Sequence, residues 1–248
     1  KAYSRPATFC TVPDSGISKE MMDVMSPSTA VQMFAISAPL GMVLDNYHGL
    51  FGVLRYTTDL SIQLAVPGAS GPFLRTAFWV PPLFGAAGVV MSAIILYLDK
   101  HLQTPECAAN PSWSRTWLSV SFFSFQYYLS GLFDSIVGSD PGSIPSLHAG
   151  LATMALVGWQ LFDGSIAGLW LALATAVAGP AAELFLVNVP GLYSYTHGDL
   201  YGICSWIPWV YFLGAPAVGN LARRVQRDGS VAVGLGLGLG LEVETDRD

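Results

Sequence analysis

The chain has 248 residues, of which 52% are hydrophobic and 11% charged, with a formal net charge of −6. A soluble domain carries about 25% charged residues, so the deficit points to lipid as the solvent, and the negative balance argues against a nucleic-acid partner. Cys10, Cys107 and Cys204 form no CxxC pair, so nothing suggests a disulfide framework or a zinc site, and they read as unpaired thiols.

Residues 1–27 read as a polar tail broken by Pro6, Pro13 and Pro27. Beyond it, the stretches 24–44, 76–98, 116–133, 141–162, 164–182 and 200–222 contain no Asp, Glu, Lys or Arg. Each is about 18 to 23 residues long, the length a helix needs to cross about 30 Å of hydrocarbon. None alternates polar and apolar residues as barrel strands do. Span 1 is predicted over 28–50, with Pro39 inside it. A loop through Pro67-Gly68 and Gly71-Pro72 leads to span 2, over 77–98, which opens on Trp79-Val80-Pro81-Pro82, an interfacial aromatic with proline in the first turn. Span 3 is predicted over 114–134 and span 4 over 144–162, separated by the turn Gly138 to Gly142. The short link Asp163-Gly164-Ser165 gives span 5 over 166–188, and the loop from Pro190 to Asp199 precedes span 6 over 200–221. In the tail 223–248, glycine at every second position from Gly234 disfavours helix and predicts flexible or extended chain.

The expected fold is therefore all-α, a six-span membrane domain over 28–222 between two tails. With six spans, both ends share a side with the 2–3 and 4–5 loops. Nine of the eleven basic residues fall there, against Arg55 and Arg75 opposite, which places both termini on the cytoplasmic or, in a plastid, the stromal side. Lys1 is not an initiator methionine, so either a presequence has been removed or the chain is a truncated one.

Polar residues inside the spans are functional candidates by default. Glu183 lies three residues after Pro180, near the end of span 5, where it either serves a site, reaches headgroups or bonds a neighbouring helix. Gln32 and Gln126 read as helix–helix hydrogen bonds. The segment Pro145-Ser146-Leu147-His148 looks like an element of membrane lipid phosphatases, and His197 and Asp199 would complete such a site. The basic donors that phosphoryl transfer requires are missing from the flanking loops. His148 is alternatively a ligand for chlorophyll or a simply hydrogen-bonded histidine.

Four blocks in order resemble the insulin-induced gene (INSIG) family. They are Phe78 to Leu102, with Trp79-Val80-Pro81-Pro82 and Asp99; Trp159 to Val187, with Phe162-Asp163; Tyr193-Ser194-Tyr195-Thr196, Asp199 and Ser205-Trp206-Ile207-Pro208; and Val218-Gly219-Asn220 with Arg223. The resemblance implies a six-span, non-catalytic protein of the endoplasmic reticulum. Such a protein needs no cofactor, binds an oxysterol among its middle helices and grips polytopic partners such as the sterol sensor SCAP and HMG-CoA reductase. It assigns partner binding to Asp163, for which capping of the next helix is the alternative role, and matches Trp159 to an aromatic of the family's ligand pocket; Ser146, Phe125 and Glu183 are the further candidates for that pocket. Ser146 stands where the family has a Gln that supports sterol binding, and Tyr127-Tyr128-Leu129-Ser130 replaces a family element of span 3. The expected ligand broadens accordingly to a lipid or sterol-like apolar molecule between spans 3, 4 and 5. Two alternatives stand beside this reading: an auxiliary subunit of a thylakoid membrane complex with lipid, chlorophyll or carotenoid contacts, and the lipid-phosphate hydrolase.

Overall fold

The computed structural model describes residues 24–57, 61–65 and 72–239. Cys10, most of the N-terminal tail and the acidic end after residue 239 lie outside the described residues. Six long helices carry the fold: α1 (Pro27–Leu50), α2 (Val80–His101), α4 (Trp113–Val137), α5 (Ile144–Phe162), α6 (Ile166–Asn188) and α7 (Ile207–Leu239), with a single turn, α3 (Glu106–Ala109), between α2 and α4. Their starts follow from local chemistry. Ser26, Ser112 and Ser165 each accept a hydrogen bond on Oγ from the backbone N–H three residues on, at 3.1, 3.2 and 3.0 Å. Helices α2 and α5 instead begin with proline in the first turn, where the missing N–H costs nothing.

Three differences from the sequence reading have physical causes. The last helix begins at Ile207 rather than near 200, because Tyr201 and Gly202 hold φ at +49° and +91°, and Leu200 pairs with Ile203 in a tight bridge. At its other end α7 runs past 222 to Leu239, through the first glycines of the Gly-Leu tract. Extending a helix already packed at its start needs no new nucleus, so propagation outweighs the glycine penalty. The fold is also not purely helical. Strands β2 (Ser61–Leu64) and β3 (Leu74–Ala77) form an antiparallel hairpin, while β1 (Leu54–Tyr56) pairs antiparallel with the distant β4 (Tyr193–Tyr195).

Large apolar side chains face outward, and several polar ones are buried within a mainly apolar core. Val31, Leu118, Ile136, Leu161 and Val177 are between 61% and 72% exposed, whereas Ser92, Gln126, Ser130 and Asn220 are fully buried. Helices α1, α2 and α6 are long and apolar enough to cross a membrane. The centre belongs to α7, which packs against all five other long helices; its Phe212, Leu213, Ala215, Ala217, Leu221 and Ala222 are buried. Small residues let α1 and α2 meet closely, since a Cβ on Gly88 would stand 2.1 Å from Ser37 Oγ. Gln126 bonds across helices as expected, from Nε2 to the Leu151 carbonyl at 2.9 Å. Gln32 stays on its own helix, bonding Ser28 Oγ at 2.9 Å.

Candidate functional site

Helices α2 and α6 stand apart around a cavity of about 360 Å³. On α2 it is lined by Leu83, Phe84, Val90 and Met91 together with Ala86 and Ala87, and on α6 by Ala174, Ala178 and Ala182; the alanines are all exposed. The cavity therefore opens sideways, toward the solvent of the outer helix faces. One end is closed by the β1–β4 pair. Strand alternation turns Leu54, Tyr56, Tyr193 and Tyr195 inward and Arg55 and Ser194 outward.

The closed end is polar. Glu183 is 7% exposed, and both of its oxygens accept from phenols: Oε1 from Tyr211 at 2.6 Å and Oε2 from Tyr195. Asp45 of α1 accepts from the Tyr56 hydroxyl. Burial, reinforced by the neighbouring Glu183 carboxylate, pushes the Tyr195 phenol well above its ordinary range and keeps it a neutral donor. Trp79, at the mouth of α2, stacks on Tyr193 with ring centroids 5.7 Å apart, and its Nε1–H is buried without a hydrogen-bond partner.

Of the residues assigned to a ligand pocket from the sequence, Glu183 lines this cavity and three others lie elsewhere. Phe125 is 54% exposed on the outer face of α4. Ser146 is exposed in the first turn of α5, donating to the Ser143 carbonyl at 2.7 Å. Trp159 packs half-buried near the end of α5, its Nε1 donating to the Ser165 carbonyl at 3.3 Å. The sequence reading missed Asp45, Tyr56 and Trp79, which converge from three separate segments. The available signal was Asp45 itself, a carboxylate ending an uncharged run.

Asp163 is 4% exposed and sits at the turn between α5 and α6. Its Oδ2 accepts from Arg223 Nη1 at 2.7 Å, while Arg223 Nε and Nη2 grip Asp99 bidentately at 2.7 and 2.8 Å. Its Oδ1 accepts from the Ser165 N–H at 3.0 Å and from the Ser165 hydroxyl. The cap of α6 is therefore Ser165, and Asp163 braces that cap. A Cβ on Gly168 would lie 2.2 Å from the Asp163 carboxylate, so the first turn of α6 rests directly on it. The knot joins α2, the α5–α6 turn and α7. Further along α7, Gln226 accepts from Ser26 N–H at 3.1 Å and Asp228 from Trp113 Nε1 at 3.0 Å. Packing thus continues beyond the boundary at 222 expected from sequence.

Both ring nitrogens of His148 are engaged by side chains, Nε2 with Ser205 Oγ at 2.9 Å and Nδ1 accepting from Trp209 Nε1 at 3.2 Å. Ser205 in turn donates to Asp199 at 2.6 Å. His197 lies instead against the buried Asp134, Nδ1 to Oδ2 at 2.9 Å, and Asp134 also accepts from Trp206 Nε1 at 3.0 Å. The two histidines serve two separate hydrogen-bonded clusters, each tying the α6–α7 loop to a helix end.

No protein-family model matches the chain. Among curated proteins, the insulin-induced gene 1 protein of Xenopus tropicalis is 32% identical over 193 residues, covering 78% of this chain and 70% of that one. The human insulin-induced gene 1 protein shares 32% over 193 residues, 64% of its own length. The chicken insulin-induced gene 2 protein shares 28% over 196 residues, covering 79% of each chain. The crystal structure of the Insig homolog MvINS from Mycobacterium vanbaalenii superposes with a TM-score of 0.62 at 24% identity, over 81% of this chain and 95% of that one. Identity at this level over most of both chains, with the same arrangement of helices, means that this chain belongs to the insulin-induced gene (INSIG) family.

Proposed function

We propose that this protein is a non-catalytic regulator of the endoplasmic-reticulum membrane, tied to sterol pathways, which binds an apolar lipid or sterol-like ligand and docks onto a polytopic membrane partner. The observation that carries the ligand half is the laterally open cavity between α2 and α6, with its apolar flanks and small polar end. The ligand site moves accordingly from spans 3, 4 and 5 to the seam between α2 and α6. Six spans with both termini on the cytoplasmic side complete the reading. In its support, α4 and α5 also turn large apolar side chains outward, with Trp117, Leu118, Ile136 and Leu161 more than half exposed.

The ligand acts by differential binding: it favours the packing of α2 and α6 that presents the partner face. Asp163 contributes to that face from below, by fixing the α5–α6 turn through Arg223. The test is pull-down of membrane partners with and without an added oxysterol. In the wild type the oxysterol changes the yield of a co-purifying polytopic protein, and Ala178→Trp, which fills the cavity, removes that response. A yield unaffected by ligand in both proteins would sink the reading.

A further inference from the structure

Between the end of α1 and the start of α2 the chain carries two basic residues, Arg55 and Arg75, and both are exposed. They line one groove of about 540 Å³, together with Asn46, Gly49, Gly52 and Pro72. Among the described residues no carboxylate lines that groove, and neither arginine forms a salt bridge. Two separate pairings place them on its walls. Arg55 is the middle residue of β1, set opposite Ser194 by the register with β4. Arg75 is on β3, where Asn46, buried near the end of α1, accepts from the Arg75 backbone N–H at 2.8 Å and donates to the Phe73 carbonyl at 3.1 Å. Asn46 thus fixes the strand through its backbone and leaves the Arg75 side chain to the groove. Two guanidinium groups on a groove without a carboxylate attract an anion, and their donor forks match the oxygens of a phosphate.

We propose that the groove between Arg55 and Arg75 binds the phosphate of an anionic phospholipid headgroup, with both guanidinium groups donating to its oxygens. Position favours a lipid as the source. Arg55 closely follows the end of α1 at Leu50, and Arg75 closely precedes the start of α2 at Val80, two helices long and apolar enough to cross a membrane. Both arginines therefore stand at the level where spans meet headgroups. Beside them the β2–β3 hairpin exposes Leu64 and Phe73, joined by a hydrogen bond from the Phe73 N–H to the Leu64 carbonyl at 2.9 Å, and Phe78 is exposed just beyond. Acyl chains lie along these side chains while the phosphate is held by the cations. A soluble phosphate would satisfy the same guanidinium groups and leave the apolar hairpin uncovered. The groove is distinct from the cavity between α2 and α6, with Leu54 and Tyr56 of β1 as the wall between them.

The experiment uses the full chain in an uncharged detergent, titrated with dioleoylphosphatidic acid and with dioleoylglycerol, which lacks only the phosphate; bound lipid is counted by native mass spectrometry. The phosphatidic acid binds tighter. Arg55→Gln and Arg75→Gln each lower its affinity about tenfold, the loss of one charge-assisted hydrogen bond, and leave dioleoylglycerol binding and the thermal unfolding midpoint unchanged. Arg227→Gln, at an exposed arginine of α7, changes neither affinity. Ala178→Trp, which fills the cavity, leaves the dependence on Arg55 and Arg75 intact, so the groove stands or falls apart from the cavity. Equal affinity of the wild type for the two lipids, or an equal loss in Arg227→Gln, makes the attraction a general one and overturns the site. A raised unfolding midpoint with inorganic phosphate alone, abolished in Arg55→Gln, overturns the lipid source and gives the groove to a soluble anion.

Discussion

Arg223 of α7 is 3% exposed, and its three guanidinium nitrogens are divided between Asp99 and Asp163. Removing one carboxylate leaves a buried cation with half its compensation, a change that costs about 3–5 kcal/mol when a buried pair is broken. Asp163→Ala should therefore lower the thermal unfolding midpoint in detergent sharply, and Asp163→Asn less so. Loss of partner capture with an unchanged midpoint would instead make Asp163 a direct contact. From the chain alone, Asp163 and Arg223 each stood out through a place in a family block, but their pairing did not. Arg223 lies sixty residues away, and no spacing rule links an interfacial turn to the end of a later helix. Cys204 gives a second prediction at this scale. Burial, then the nearby Asp134 and Asp199 carboxylates, push its thiol far up, so the reactive thiolate is suppressed. In a Cys10→Ser background at pH 8, a maleimide should label the exposed Cys107 once and reach Cys204 only after denaturation.

Among the elements, the pairing of α1 with α2 depends on absent side chains. Gly88 admits Ser37, and a Cβ on Gly41 would overlap the Phe84 ring at 2.0 Å. In lipid no hydrophobic force pushes helices together, so close approach itself supplies the attraction. Gly88→Leu should force α1 away from α2 and cut the yield of monodisperse protein, whereas Gly49→Ala, with nothing within 4 Å of the new Cβ, should leave it unchanged. Helix positions were legible because uncharged length is a strong signal; α5 and α6 lie where their runs predicted. The β1–β4 pair was not legible. Each strand has three residues and the partners are far apart in sequence, so nothing local marks them as strands. The cavity between α2 and α6 depends on that pair for its closed end, and its composition stayed hidden for the same reason.

For the whole molecule, apolar surface is the governing fact: α1, α2 and α6 are long and apolar enough to cross a membrane and turn Val31, Val90 and Val177 outward, while the core around α7 is mainly apolar too. A topology measurement follows from it. Tags at both termini and an impermeant reagent at Cys107 should all report from the cytoplasmic side of sealed microsomes, and Arg55 and Arg75 substituted by cysteine from the luminal side. One terminus on each side would refute an even number of spans.

The central place of α7 also has a temporal meaning. It is the last of the six long helices to be synthesised, yet it packs against each of the other five. The ion-paired knot of Asp99, Asp163 and Arg223 can therefore form only after Arg223, the last of the three in the chain, has been made.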